Sequence, residues 1–182
     1  VLREHPIDAL LLDGRLLVRD EEADAGIAPP ARERFEPAPD PTGTRLALVF
    51  GNEFAGGECP FWRAGECTHC DIGAGEGTRA TPDFQRRRLA WFRRHYRGEL
   101  ERVSHLVVYN SGSVLNPQEM SPESLREIVG WAAGLPALRM VSFDTREGFV
   151  RRERLAELRA LLPAGVETRA ILGLESADEE VR

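Results

Sequence analysis

The stretch HLVVYNSGSVLNPQEMSPESLREIVGWAAGLPALRMVSF, residues 105–143, decides the fold. It opens on an apolar run, His105 to Tyr109, turns polar at Asn110-Ser111-Gly112-Ser113, and then changes period. From Ser121 to Ala133 the apolar residues Leu125, Ile128, Val129 and Ala132 recur at one-face helical spacing. Ser121 offers a capping hydroxyl, Pro122 suits the first helical position and Gly134 stops the run. A second apolar run, Arg139 to Phe143, follows. Strand, helix and strand joined by short spacers read as one crossover unit of a parallel sheet.

The same alternation extends in both directions. Leu46 to Phe50 predicts a strand, Asp83 to Arg97 a helix, Val150 to Leu162 a helix with Val150, Leu155, Leu158 and Leu162 on one side, and Val166 to Leu172 a strand. Pro163 and Gly165 end that last helix. The expected fold class is therefore α/β, about four parallel strand units open or curled toward a barrel. Ahead of it, residues 1–44 form a lead-in: a short helix or strand pair around Leu10 to Val18, an acidic patch Asp20-Glu21-Glu22, and a Pro-rich stretch from Pro29 to Pro41 that forbids regular helix. Residues 45–182 form the core unit.

In such a sheet the working groups lie on loops at the carboxyl ends of the strands. Here those loops are the cysteine-bearing segment after Phe50, Asn110 to Ser113, Asp144-Thr145-Arg146, and Gly173-Leu174-Glu175-Ser176. Each is polar or Gly-bearing where the preceding strand is apolar. Together they predict one polar rim.

All three cysteines of the chain, Cys59, Cys67 and Cys70, fall on the first of these loops. Thiolates are soft and reactive, so a chain that crowds them onto one loop points to metal binding rather than core packing. Three cysteines with the close pair Cys67-x-x-Cys70 can hold three corners of an iron–sulfur cluster and leave one iron open. The rival is zinc, which needs four ligands. His69 is the nearest candidate for the fourth, but it adjoins Cys70, and His95 or His105 would have to fold in from elsewhere. Free thiols are the remaining alternative.

Composition sets the frame. With 182 residues, 42% apolar and 30% charged, the chain can bury one ordinary core. No apolar run approaches a membrane span and the start lacks the order of a secretory signal, so no membrane partner and a cytoplasmic setting are expected. The odd cysteine count speaks against a disulfide framework. A net charge of −6 repels nucleic acid weakly, so phosphate contact would need a local basic patch. The start at Val1 and the stop at Arg182, just past a strand-to-helix turn, lead us to expect a piece of a longer chain.

These residues resemble the radical S-adenosylmethionine superfamily. The resemblance covers roughly Leu46 to Arg182 and rests on Cys59, Cys67 and Cys70 after the first strand, followed by alternating strands and helices with Gly-Ser and Glu-Ser turns. The first cysteine gap, Pro60 to Glu66, is wider than in the commonest pattern. It is similar to the branch of the Elongator catalytic subunit and the archaeosine synthase radical subunit, as is Tyr109-Asn110-Ser111-Gly112-Ser113. The fold this implies is a partial TIM-like (β/α) barrel. The cofactors it implies are a [4Fe–4S] cluster on Cys59, Cys67 and Cys70, and S-adenosyl-L-methionine on the open iron. An external electron donor would reduce the cluster, and a 5′-deoxyadenosyl radical would take a hydrogen from the substrate.

The resemblance also implies residue roles. Asn110, Ser111, Gly112 and Ser113 match the turn that holds the methionine amine, although the usual acidic residue is missing there. Asp144 and Arg146 match the third-strand position facing the amine or carboxylate, Glu175 the position facing the ribose hydroxyls, and His69 the aromatic position beside the adenine. Phe61 and Trp62 would shield the cluster from water. The more ordinary readings are a simple turn at Asn110 to Ser113, helix capping by Asp144-Thr145-Arg146, and a first-turn carboxylate at Glu175.

The branch includes enzymes that act on transfer RNA, and Gln85-Arg86-Arg87-Arg88 with Arg93-Arg94-His95-Tyr96-Arg97 resembles a phosphate-binding face. With Phe84, Leu89, Phe92 and Tyr96 turned inward, those arginines equally suit the solvated side of an amphipathic helix. The sequence holds no unambiguous catalytic acid or base and no auxiliary cluster cysteines. Two other classes compete with the enzyme: a zinc-stabilised binding module, and an inactive fragment with the same fold.

Overall fold

The computed structural model describes residues 7–12, 15–16, 43–50, 59–65, 82, 86, 89–90, 93–94, 97–110 and 112–173. Its centre is a sheet of strands β1 (Ile7–Leu12), β2 (Arg15–Leu16), β3 (Thr44–Phe50), β4 (Val103–Asn110), β5 (Met140–Thr145) and β6 (Glu167–Leu172), in the order β2-β1-β3-β4-β5-β6. From β3 to β6 every pair is parallel, which makes the α/β architecture and its four-strand parallel sheet the plain result. The region around Leu10 resolves as an antiparallel strand pair, and β1 continues antiparallel along β3. Helices α1 (Pro60–Arg63), α2 (Arg97–Leu100), α3 (Pro122–Ala132) and α4 (Arg152–Ala160) lie between the strands, with a 3₁₀ turn at Glu147–Phe149.

β4 sits between two parallel neighbours and is buried along most of its length, as its near-continuous apolar run requires. β6 alternates between exposed and half-buried residues. Leu46, Leu48 and Phe50 of β3, Leu106 and Val108 of β4, and Val141 and Phe143 of β5 turn the same way into the core. There they meet Leu125, Ile128 and Val129 of α3. Burial of each large aliphatic or aromatic side chain contributes about 1.5–3 kcal/mol. That layer fixes which way each strand faces.

α3 forms as its sequence dictates. Ser121 is extended (φ −63°, ψ 147°) and its Oγ accepts the Ser124 amide at 3.1 Å, with Pro122 in the first turn. Helical residues 82, 86, 89, 90, 93 and 94 precede α2, and Leu89 is fully buried. They are tied to α3: Trp131 Nε1 donates to the Leu89 carbonyl at 2.9 Å, Arg93 donates to the Trp131 carbonyl, and Arg86 pairs with Glu127 at 2.9 Å.

Several boundaries differ from the sequence expectation, three of them beside the candidate loops. β4 and β5 run on through Asn110 and Thr145, because the backbone there still pairs with Phe50 on one side and Leu172 on the other. α4 starts at Arg152 rather than Val150, since Val150 and Arg151 are extended. No helix among the described residues is long and apolar enough to cross a membrane.

Candidate functional site

Register places the candidate loops side by side. Phe50 is paired with Asn110, so the cysteine-bearing segment and the Asn110 turn leave adjacent strands at the same level. Thr145 is paired with Leu172 at the ends of β5 and β6. Of the expected site residues, Cys59, Asn110, Gly112, Ser113, Asp144 and Arg146 are described, whereas Cys67, Cys70, His69, Ser111 and Glu175 lie outside the described residues, as does Trp62's side chain.

Cys59 is a half-buried free thiol immediately before α1. Its carbonyl accepts the Arg63 amide at 3.0 Å, and Gly65, at φ 75°, ends the turn. Among the described residues no group of three His, Cys, Asp or Glu side chains is placed to hold a metal ion. Cys59 is thus the one thiol of the triplet whose setting is described.

Asn110 is 3% exposed, and neither its Nδ2 nor its Oδ1 has a hydrogen-bond partner. Among the described residues these are the only buried side-chain polar atoms in that condition. A buried unsatisfied polar group costs about 1–3 kcal/mol. Gly112 follows at φ 139°, a backbone conformation that side chains with a Cβ avoid, and its amide turns back onto the Asn110 carbonyl at 2.8 Å.

Ser113 behaves differently from Asn110. Its hydroxyl shares a 2.5 Å hydrogen bond with Thr145 and accepts the Arg146 amide at 3.2 Å, so it stitches the β4 loop to the β5 loop. Its own amide donates to Glu119 Oε2. Glu119 is 3% exposed and also accepts from Asn116 Nδ2 at 2.6 Å and from the Arg146 guanidinium. The turn's backbone thus meets a buried carboxylate from six residues downstream.

Of the capping alternative for residues 144–146, the Arg146 part does not form. Asp144 is a half-buried strand residue whose carbonyl accepts the Val114 amide at 3.0 Å, and Arg146 precedes the 3₁₀ turn without a side-chain cap bond. The Arg146 guanidinium instead lies over the Phe61 ring at 4.7 Å and the Phe149 ring at 5.0 Å. Phe61 belongs to the cysteine-bearing segment, so Arg146 joins that segment to β5.

Glu119, Asn116 and Phe149 did not stand out in the sequence, and Thr145 did so only as part of the loop after Phe143. Asn116-Pro117-Gln118-Glu119 did carry a signal: Asn with Glu three residues later is a local turn-and-cap pattern, and the Asn116 side chain accepts the Gln118 amide at 3.1 Å. Arg86, Arg93 and Arg94 line a groove of about 570 Å³ against α3, and Arg86 and Arg93 are engaged with that helix. The Arg86 hydrogen bond holds the Glu127 carboxyl below its ordinary range; partial burial opposes this and the guanidinium's charge adds to it. Compared with protein-family models, curated proteins and solved structures, the chain gives no significant match.

Proposed function

We propose that this chain is a radical S-adenosylmethionine enzyme domain, in which the four parallel strands are the first units of a TIM-like barrel. The observation that carries the reading is the orphaned amide of Asn110 at the carboxyl end of β4, level with the end of the strand that leads into the cysteine segment. An amide offers both a donor and an acceptor, which suits the charged amine and carboxylate of an amino acid. The free thiol of Cys59 on the adjoining loop has the donor chemistry of a cluster ligand. Both observations fit the group.

In this reading Cys59, Cys67 and Cys70 hold the [4Fe–4S] cluster, and Asn110, Asp144, Arg146, Glu175 and His69 contact S-adenosylmethionine. When bound, the reduced cluster would supply the one-electron chemistry that cleaves the sulfonium of S-adenosylmethionine. The chain's own share is orientation and exclusion of water. Gly112 lets the backbone turn sharply beside Asn110, Ser113 with Thr145 keeps the two loops together, and Phe61 of the cysteine segment meets the Arg146 guanidinium. An external reductant is the proposed partner; transfer RNA is the substrate class that the branch suggests, and a small molecule or peptide the alternative.

Anaerobic reconstitution with iron and sulfide, followed by electron paramagnetic resonance of the reduced protein, tests the proposal. The expected result is a cluster signal that changes when S-adenosylmethionine is added, and its loss together with 5′-deoxyadenosine release in Cys67→Ala. Colourless protein with stoichiometric zinc, or a cluster signal indifferent to S-adenosylmethionine, would overturn it.

A further inference from the structure

The contacts of Arg146 form a chain that no cofactor role requires. Glu119, buried and held by Ser113 and Asn116, bonds the guanidinium from one direction. The guanidinium also faces Phe61, two residues past Cys59. Phe61 is 39% exposed, a large apolar side chain kept at the surface against a charged group rather than in the core. A guanidinium is planar and stacks on aromatic rings, whereas an ammonium is a compact point charge. The arrangement therefore depends on the shape of the cation as well as on its charge.

We propose that Arg146 is a positioning residue that docks the Cys59 turn onto the end of β5, with Glu119 fixing the guanidinium and Phe61 resting on it. The docking is a property of the protein itself. Its consequence, that Cys59 is held ready for cluster assembly, rests on the cofactor reading above.

The test separates the two. In the full chain carrying Cys67→Ser and Cys70→Ser, Cys59 is the only thiol, and its rate of alkylation by iodoacetamide reports how tightly its turn is docked. Arg146→Lys keeps a charge for Glu119 and removes the planar face. Phe61→Ala removes the ring from the surface without touching the core, so folding is spared. Each variant raises the alkylation rate about threefold, the population change expected from losing the contact between Arg146 and Phe61; the second ring over Arg146, Phe149, does not belong to the Cys59 turn. The double variant rises no further, and Phe61→Trp restores protection, while the Tm of Phe61→Ala stays within about 2 °C of the parent, as for other surface substitutions. Unchanged rates in both single variants, additive rates in the double, or a rate rise matched by a general loss of Tm would overturn the docking. Iron content after reconstitution is then compared between the otherwise unaltered chain and Arg146→Lys. If alkylation responds but no chain assembles a cluster, the docking stands and the cofactor reading fails. If clusters assemble and alkylation does not respond, the docking fails alone.

Discussion

Asn110 stands against the usual logic of a folded interior. Its neighbours on the same face of β4, Leu106 and Val108, are apolar, and an apolar side chain of similar size would fill its place without leaving polar atoms unpaired. Asn110→Leu should therefore stabilise the protein by about 1 kcal/mol, which a thermal melt reads as a Tm rise of about 2–4 °C. The same variant should lose the stabilisation that S-adenosylmethionine gives the parent. A fall in Tm would show that the amide supports the fold rather than a ligand. The Asn110 turn was legible because polar and glycine residues interrupt an apolar run. Glu119 was not, since its partners are Ser113, six residues back, and Arg146, 27 residues ahead, and a loop carboxylate reads by default as solvated.

Among the elements, α3 was the most legible because capping, proline placement and apolar spacing agree over one short segment. Ser121→Ala removes the acceptor for the Ser124 amide and should cost about 1 kcal/mol, measured as a shift of the urea midpoint with unchanged slope. No shift would place the start of the helix under the control of packing alone. β5 shows where polarity misleads. Asp144 and Thr145 look like loop residues, yet their backbones pair with Ile171 and Leu172, and the strand extends to the point where Arg146 can meet Glu119. Strand length is set by the neighbouring backbone, which periodicity along one segment does not reveal. The cysteine segment was legible in composition alone, and Cys67 and Cys70 remain outside the described residues.

For the molecule as a whole, the pairing of Arg86 with Glu127 couples the helical residues before α2 to α3. The Glu127 carboxyl titrates below its ordinary value of 4.5. Protonation is thus harder in the folded chain than in the unfolded one, and the pair's contribution is fully present above 4.5. It is lost as pH falls from there through the lowered folded value. Glu127→Gln should reduce stability by less than about 1 kcal/mol near neutral pH, because both side chains are partly exposed, and the difference from the parent should fade in acid and in high salt. Denaturant midpoints at pH 6 and pH 3.5 check this; a difference that grows in acid would reverse the assignment. The parallel order of β3 to β6 was readable from the strand–helix alternation. The antiparallel hairpin beside β3 was half readable, as a strand pair whose partner in the sheet no local pattern names.

That hairpin gives the sheet a direction of growth. β3 has β4 on one side and β1 on the other, so neither of its edges is free to receive a returning parallel strand. Beyond β1 lies β2, whose two residues offer almost no ladder. β6, six residues long, has a strand partner on one side only among the described residues. Among the described residues β6 is thus the margin of the parallel set at which a further parallel strand can pair. The hairpin occupies the other flank of β3, so the parallel set grows away from it, in the direction that runs from Asn110 on β4 to Arg146 after β5.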